Sequence, residues 1–225
     1  MFESNQENSY ELYTQNRLQK DGPLLAKWLW ILFWVAIAGF LPSILSLNYI
    51  KTVAPVIYYI GDYGAYLFVI AYTVVLLFLR RSASSYGRAG LFSLIGNGIS
   101  IVLAVVFTLL DRPLPNLLAL PVLVLTLMSE YHEFKAHSEV LEGVDYVLSE
   151  KWTKLWRAYI LALVAIFLSS FIFLPIISTL IELASLIAVL VCMILKYCYL
   201  YRTATVFRTH QREHAENNTI SDTTR

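Results

Sequence analysis

The sequence predicts an all-α integral membrane protein, a polytopic bundle of six transmembrane helices with both termini in the cytoplasm. Three observations lead to this prediction. The 225 residues are 58% hydrophobic and only 15% charged, whereas about a quarter of the residues of a soluble globular domain are charged. The apolar residues form long blocks instead of alternating with polar ones. Nearly all lysines and arginines lie in alternate gaps between these blocks.

The apolar blocks define the expected spans, because a helix of ~20 apolar residues crosses the hydrocarbon core and satisfies its own backbone polar groups. Pro42 interrupts the first block, and the second starts at Val56 or only at Tyr63. The fourth block is short, so its helix is expected to continue through Glu130, with polar side chains at the inner membrane boundary. The predicted spans are residues 28–47, 56–79, 91–110, 114–134, 155–174 and 177–200 within a transmembrane domain 28–201.

The cationic residues predict the orientation, because cytoplasmic loops carry an excess of lysine and arginine. Only Lys51 and Arg112 lie in the gaps assigned to the outer side. With an even number of spans, all the other cations lie on one side of the membrane. The tails 1–27 and 202–225 are therefore predicted to be cytoplasmic. The first block lacks a small-residue cleavage site and is expected to be retained. The plasma membrane is the expected location. The cations assigned to the cytoplasmic side are Arg17, Lys20, Lys27, Arg80, Arg81, Arg88, Lys135, Lys151, Lys154, Arg157, Lys196, Arg202, Arg208, Arg212 and Arg225.

Two acids inside spans are the leading candidates for a binding site, since ionisable residues at membrane depth usually serve a function. Asp62 shares a helix face with Tyr59 and Tyr66, and Glu182 follows the last hairpin. Both acids belong to the outer half of the bundle and could line one pocket. The alternative is that each carboxylate stabilises a helix N-terminus. Asn97 in span three is either a further ligand-binding residue or a helix-packing residue.

Residues 130–157 form the one long cytoplasmic segment with a helical rhythm. Its apolar face either packs on the bundle or the membrane surface, or is a docking surface for a protein partner. Ser149 is expected to cap a second helix in this segment. The residues of the apolar face, spaced three or four apart, are Phe134, His137, Leu141, Val144, Leu148, Trp152 and Leu155.

The same segment contains weak candidates for metal binding. Glu130, Glu133 and His137 share a helix face, and carboxylate plus imidazole can bind a transition metal. However, His132 and His137 are five residues apart, whereas a zincin helix needs its histidines four apart. We therefore expect no metal and no cofactor. Nucleic-acid binding is not expected either, because the basic C-terminal tail is short and interspersed with acids.

These patterns rank three classes of function. The first is a small transport protein, or the membrane subunit of a transport complex, for a polar or cationic solute. The second is a membrane adaptor that acts through residues 130–157. The third, an intramembrane metal-dependent enzyme, has the least support, because no motif identifies a reaction. The bilayer is the expected partner in every case, and the oligomeric state is left open.

Overall fold

The computed structural model describes residues 2–46, 48–110, 116–169, 171 and 174–223. Within these residues the chain is all-α, which confirms this part of the predicted fold class. The turn at 111–115, which carries Arg112, lies outside the described residues. The helices are α1 (Phe2–Leu45), α2 (Asn48–Val53), α3 (Pro55–Leu79), α4 (Ser84–Leu109), α5 (Asn116–Leu141), α6 (Tyr146–Ser169) and α7 (Pro175–Thr223).

Five of these helices contain a stretch long and apolar enough to cross a membrane: Lys20–Leu45, Pro55–Leu79, Ser84–Phe107, Tyr146–Ser169 and Pro175–Arg212. Large apolar side chains on the outside of the bundle are exposed, as expected of a surface in contact with lipid tails and unlike a soluble protein. The chain is therefore an integral membrane protein. Helix α5 is not among the five, so the count of six spans stays a prediction.

The six long helices form a closed ring. Helix α1 packs on α3 and α7, and the ring continues from α3 through α4, α5 and α6 back to α7. The short α2 packs on α3. Because the first and last long helices are neighbours, the ring encloses a space that several helices can line.

Packing is densest at one end of this ring, called the basic end below because it contains Arg80, Arg81 and Arg202. The buried side chains of this core come from the middle of α1, the end of α3, the starts of α4 and α6, the end of α5 and the middle of α7. Examples are Leu29, Leu76, Tyr86, Leu141, Trp152 and Leu200.

The 130–157 segment contributes to this core with the face that the periodicity predicts. Phe134 and Leu141 on α5, and Trp152 on α6, are buried in the bundle, which confirms the packing alternative. The prediction that Ser149 caps the second helix is wrong. Asp145 caps α6, because its Oδ1 accepts a hydrogen bond from the Leu148 N–H at 2.9 Å. Ser149 lies inside α6 and donates to the Ser138 carbonyl at 2.9 Å.

Two prolines at the end of the ring opposite the basic end also correct the predicted helix boundaries. Helix α1 continues through Pro42 and ends at Leu45, so Pro42 does not interrupt the span. Its ring is buried against α3, where Gly64 leaves room for it. Helix α3 begins at Pro55, a residue suited to the first turn because it lacks an N–H that would need a partner. Asp62 is therefore inside α3 and does not cap its start.

Helices α1 and α3 approach each other closely at Gly61. A Cβ atom at this position would lie 2.6 Å from Leu45 Cβ, 2.8 Å from the Leu45 carbonyl carbon and 2.9 Å from the Ser46 nitrogen. Gly61 is buried, and only a residue without a side chain permits this contact.

Candidate functional site

Four of the five binding residues expected from the sequence lie away from the centre of the ring. Tyr59 and Tyr66 are 50% and 41% exposed. Asp62 is half-buried and Glu182 is exposed. None of the four lines the cavity described next.

A central cavity of about 650 Å³ lies between α1, α3, α4, α5 and α7. This volume is in the range of small-molecule binding sites, which are mostly apolar with a few polar groups. Asn97, the fifth predicted residue, is in its wall, and its Nδ2 donates to the Ser93 carbonyl at 2.8 Å. The apolar wall is formed by Val35, Ala36, Gly39, Phe40, Ala65, Phe68, Val69, Phe92, Gly96, Leu186, Val189, Leu190, Met193 and Leu200, and the polar residues are Ser43, Tyr72, Ser93, Asn97, Thr126, Ser129, Glu130, Glu133, Lys196 and Tyr197.

The cavity ends toward the basic end in a charged floor made of Tyr72, Glu130, Glu133 and Lys196. The Lys196 ammonium lies 2.8 Å from Glu130 Oε2 and 3.1 Å from Glu133 Oε1. The Tyr72 hydroxyl donates a hydrogen bond to Glu133. The side chains of Glu133 and Lys196 are only 3% and 9% exposed. Charges removed from water in this way persist only when they are paired and hydrogen-bonded.

A second layer of polar contacts lies behind the floor, further toward the basic end. His137 Nδ1 is 2.8 Å from the Tyr86 hydroxyl, and the imidazole stacks on Trp152 with ring centres 4.3 Å apart. The indole N–H of Trp152 donates to Thr203 Oγ1 at 3.1 Å. Burial lowers the pKa of His137 below its ordinary value, so the ring is neutral at pH 7. These contacts connect α4, α5, α6 and α7 behind the cavity.

The three weak metal candidates are close together but have other partners. Glu130 and Glu133 bind Lys196. His137 bonds Tyr86 through Nδ1, and its Nε2 lies 3.8 Å from Glu133 Oε1, too far for a hydrogen bond. Among the described residues, no group of three or more His, Cys, Asp or Glu side chains could hold a metal ion.

Sequence reasoning missed the role of Lys196 and Tyr72. The charge pattern assigns Lys196 to the cytoplasmic side, because it lies near the inner end of the predicted span 177–200. In the structure Lys196 lines the central cavity, and its ammonium contacts Glu130 and Glu133. The signal in the sequence is that Glu130 and Glu133, with the opposite charge, also lie near the inner end of a predicted span.

Comparison of the chain with protein families, curated proteins and solved structures found no match. Its function must therefore be inferred from its own residues. The arrangement can bind a small molecule: an apolar chamber inside a ring of helices, with paired charges at its closed end.

Proposed function

We propose that the protein is a small transporter, or the membrane subunit of a transport complex, whose solute binds in the central cavity. In this proposal α5 is the sixth span, both termini are cytoplasmic and the location is the plasma membrane. One observation carries it: the charged side chains of Glu130, Glu133 and Lys196, which lie within the proposed spans α5 and α7, face a half-open cavity between the helices. Charged residues at this depth usually mark a substrate or ion pathway.

The uneven packing of the ring supports this proposal. The basic end is closed by the core and by the contacts around His137 and Trp152. In the other direction the cavity extends to Ser43, Ala65 and Leu186, where packing is looser. A transporter with its inner gate closed and its outer side accessible would have this form. Release to the cytoplasm would require the charged floor to rearrange.

The acids expected from the sequence have a place in this proposal at the outer mouth of the cavity. Asp62 precedes the cavity residues Ala65 and Val69 by three and seven positions, and residues at this spacing share a helix face. Glu182 precedes Leu186 and Val189 in the same way. We propose that the two carboxylates attract the solute to the mouth, with Tyr59 and Tyr66 beside Asp62, and that Asn97 contacts it inside.

Cysteine accessibility tests the proposal without a known substrate. In a chain with Cys192→Ala and Cys198→Ser, a Ser93→Cys substitution places the only thiol in the cavity wall. We expect this thiol to react with a membrane-impermeant thiosulfonate from the outside, and in a fraction of molecules from the cytoplasmic side. Leu67→Cys is the matched control, because Leu67 is 68% exposed on the lipid-facing side of α3 and should not react.

The same thiol tests the two mouth acids. A cationic thiosulfonate should react with Ser93→Cys about tenfold faster than an anionic one, because charged clefts concentrate the opposite charge. Asp62→Asn with Glu182→Gln should reduce this ratio. An unchanged ratio of the two rates would show that these acids do not attract cations to the cavity. Reaction of the thiol from only one side of the membrane under all conditions would contradict transport.

The six-span topology has its own test. If α5 crosses the membrane, thiols at Leu110→Cys and Tyr146→Cys, placed singly in the same background, should react from opposite sides of sealed vesicles. Both native residues are exposed, at 57% and 72%. Helix α5 has 26 residues and is ~39 Å long at 1.5 Å per residue, enough to span the bilayer. Labelling of both thiols from one side would leave five spans.

The adaptor function is the second candidate. The apolar face of residues 130–157 is buried in the bundle and cannot receive a partner. A cleft of about 470 Å³ remains between the end of α5 and the start of α6, lined by Glu142, Tyr146 and Glu150 among others. An adaptor would use this acidic cleft. We place the adaptor function second because it would make no use of the charged floor of the central cavity.

A further inference from the structure

We propose that the solute is an organic cation with an apolar body. Its body would occupy the walls of the central cavity, and its cationic group would lie against Glu130. This inference rests on the proposed function of the cavity as the solute site and adds the chemical class of the solute.

The charges in the cavity favour a cation. The described part of its lining contains two carboxylates, Glu130 and Glu133, and one ammonium, Lys196. Together these carry a net charge of −1 when all three are ionised. Glu133 is held by both Lys196 and Tyr72. Glu130 is held by Lys196 through Oε2, and its side chain is 22% exposed, the most accessible of the three. A ligand cation can therefore reach Glu130 while Lys196 remains paired with Glu133.

The same charges disfavour an anion. Among the residues that the structure describes, Lys196 is the one cationic residue in the cavity lining, and it already contacts two carboxylates. An anionic solute would have to displace Glu130 from Lys196 and then lie beside the released carboxylate. Placing like charges together in a site shielded from water is unfavourable.

Aromatic rings form part of the cavity wall. The faces of such rings attract cations, and organic ammonium groups in particular are bound in this way. The rings also bury a large apolar area. A small inorganic cation would need oxygen ligands and would gain nothing from these walls. The five aromatic residues of the wall are Phe40, Phe68, Tyr72, Phe92 and Tyr197.

The polar groups of the wall argue against a sugar-like or other polyhydroxylated solute. The hydroxyls of Ser43 and Thr126 donate to carbonyls of their own helices, at Gly39 and Val122 respectively, both at 2.9 Å. The Ser129 hydroxyl donates to the Ala89 carbonyl at 2.9 Å. These oxygens can still accept hydrogen bonds, but their protons are engaged, so a solute with many hydroxyl groups would recover only part of its bonds to water from these side chains. An apolar body with one charge has no such requirement.

Two probes of equal shape and opposite charge test the inference: tetraphenylphosphonium and tetraphenylborate. Binding is measured by equilibrium dialysis against the full chain in phosphatidylcholine nanodiscs, with protein-free discs subtracted. We expect saturable binding of tetraphenylphosphonium only. Glu130→Gln should weaken it by about tenfold or more, because the ion loses its carboxylate partner. Glu139→Gln makes the same chemical change on α5 outside the cavity and should leave the affinity unchanged.

A second variant covers the case in which Glu130→Gln does not fold, judged by gel filtration and thermal melting. Phe68→Leu keeps every charge but removes one aromatic face, and it should also weaken binding of the phosphonium ion. Stronger saturable binding of the borate, or equal phosphonium affinity of wild type and Glu130→Gln, would overturn the inference. If neither probe binds while Ser93→Cys reacts from both sides, the inference fails and the proposed transport function stands.

Discussion

Replacing Lys196 with methionine is expected to destabilise the folded protein by about 3–5 kcal/mol, because removal of one partner leaves buried charges uncompensated. The lysine is the partner of both Glu130 and Glu133. Methionine fills a similar volume, so the loss of stability is caused by removal of the charge and not by an empty space in the core. The measurement is the melting temperature, or the free energy of unfolding in mixed micelles, of the detergent-purified protein.

Lys154→Met is the control for this substitution. Lys154 lies 2.9 Å from Glu150, but the two side chains are 67% and 48% exposed. An exposed ion pair contributes about 1 kcal/mol or less, so this variant should melt close to wild type. A triple variant, Lys196→Met with Glu130→Gln and Glu133→Gln, should regain part of the stability because no buried charge remains unpaired. Equal melting of Lys196→Met and Lys154→Met would show that the charged floor does not stabilise the fold.

Gly61→Ala is expected to destabilise the protein by about 1–3 kcal/mol, the usual range for inserting an atom into a packed interior. The new methyl group would meet the backbone of Leu45 and Ser46 at 2.8 and 2.9 Å. Backbone atoms cannot rotate away as a side chain can. The helices α1 and α3 would have to separate, and both line the central cavity. The same melting measurement detects the loss.

Gly98→Ala is the matched substitution, because nothing lies within 4 Å of a Cβ atom built at Gly98. Alanine is favoured over glycine inside a helix by up to ~1 kcal/mol, so Gly98→Ala should be neutral or stabilising. Gly61 has the same advantage from helix propensity, and the difference between the two variants therefore measures the helix contact. If the two variants melt alike, α1 and α3 do not touch at Gly61.

The parts of the fold that the sequence predicts are those governed by local pattern. The apolar blocks identify the long helices, and the spacing of Phe134, Leu141 and Trp152 identifies a face that is indeed buried. The turn within this segment was misplaced because Asp145 and Ser149 are both good capping residues. The choice between these two caps depends on where the chain reverses direction. Gly143, which has a φ of 85°, sets that position.

The candidate site was harder to predict because its parts are distant in sequence. Glu130 and Lys196 are 66 residues apart, and no local pattern connects them. Their pairing depends on which helices are neighbours across the ring. Asp62 and Glu182 are easy to identify in the sequence because each is isolated in an apolar run. Lys196 is not, because it resembles the other cations, which indicate only the membrane topology. Opposite charges on separate spans at equal depth are the signal that would have found it.

The distance along the chain between Glu130 and Lys196 also has a consequence for biosynthesis. A ribosome adds about 5–20 residues per second, so the two glutamates are made several seconds before the lysine that neutralises them. During that interval α5 cannot settle in lipid with both carboxylates ionised and unpaired. If α5 is the sixth span, its insertion waits for α7, or proceeds with its acids protonated or held at the membrane surface. The last helix to be made would then supply the charge that lets an earlier one stay in the bilayer with its acids ionised.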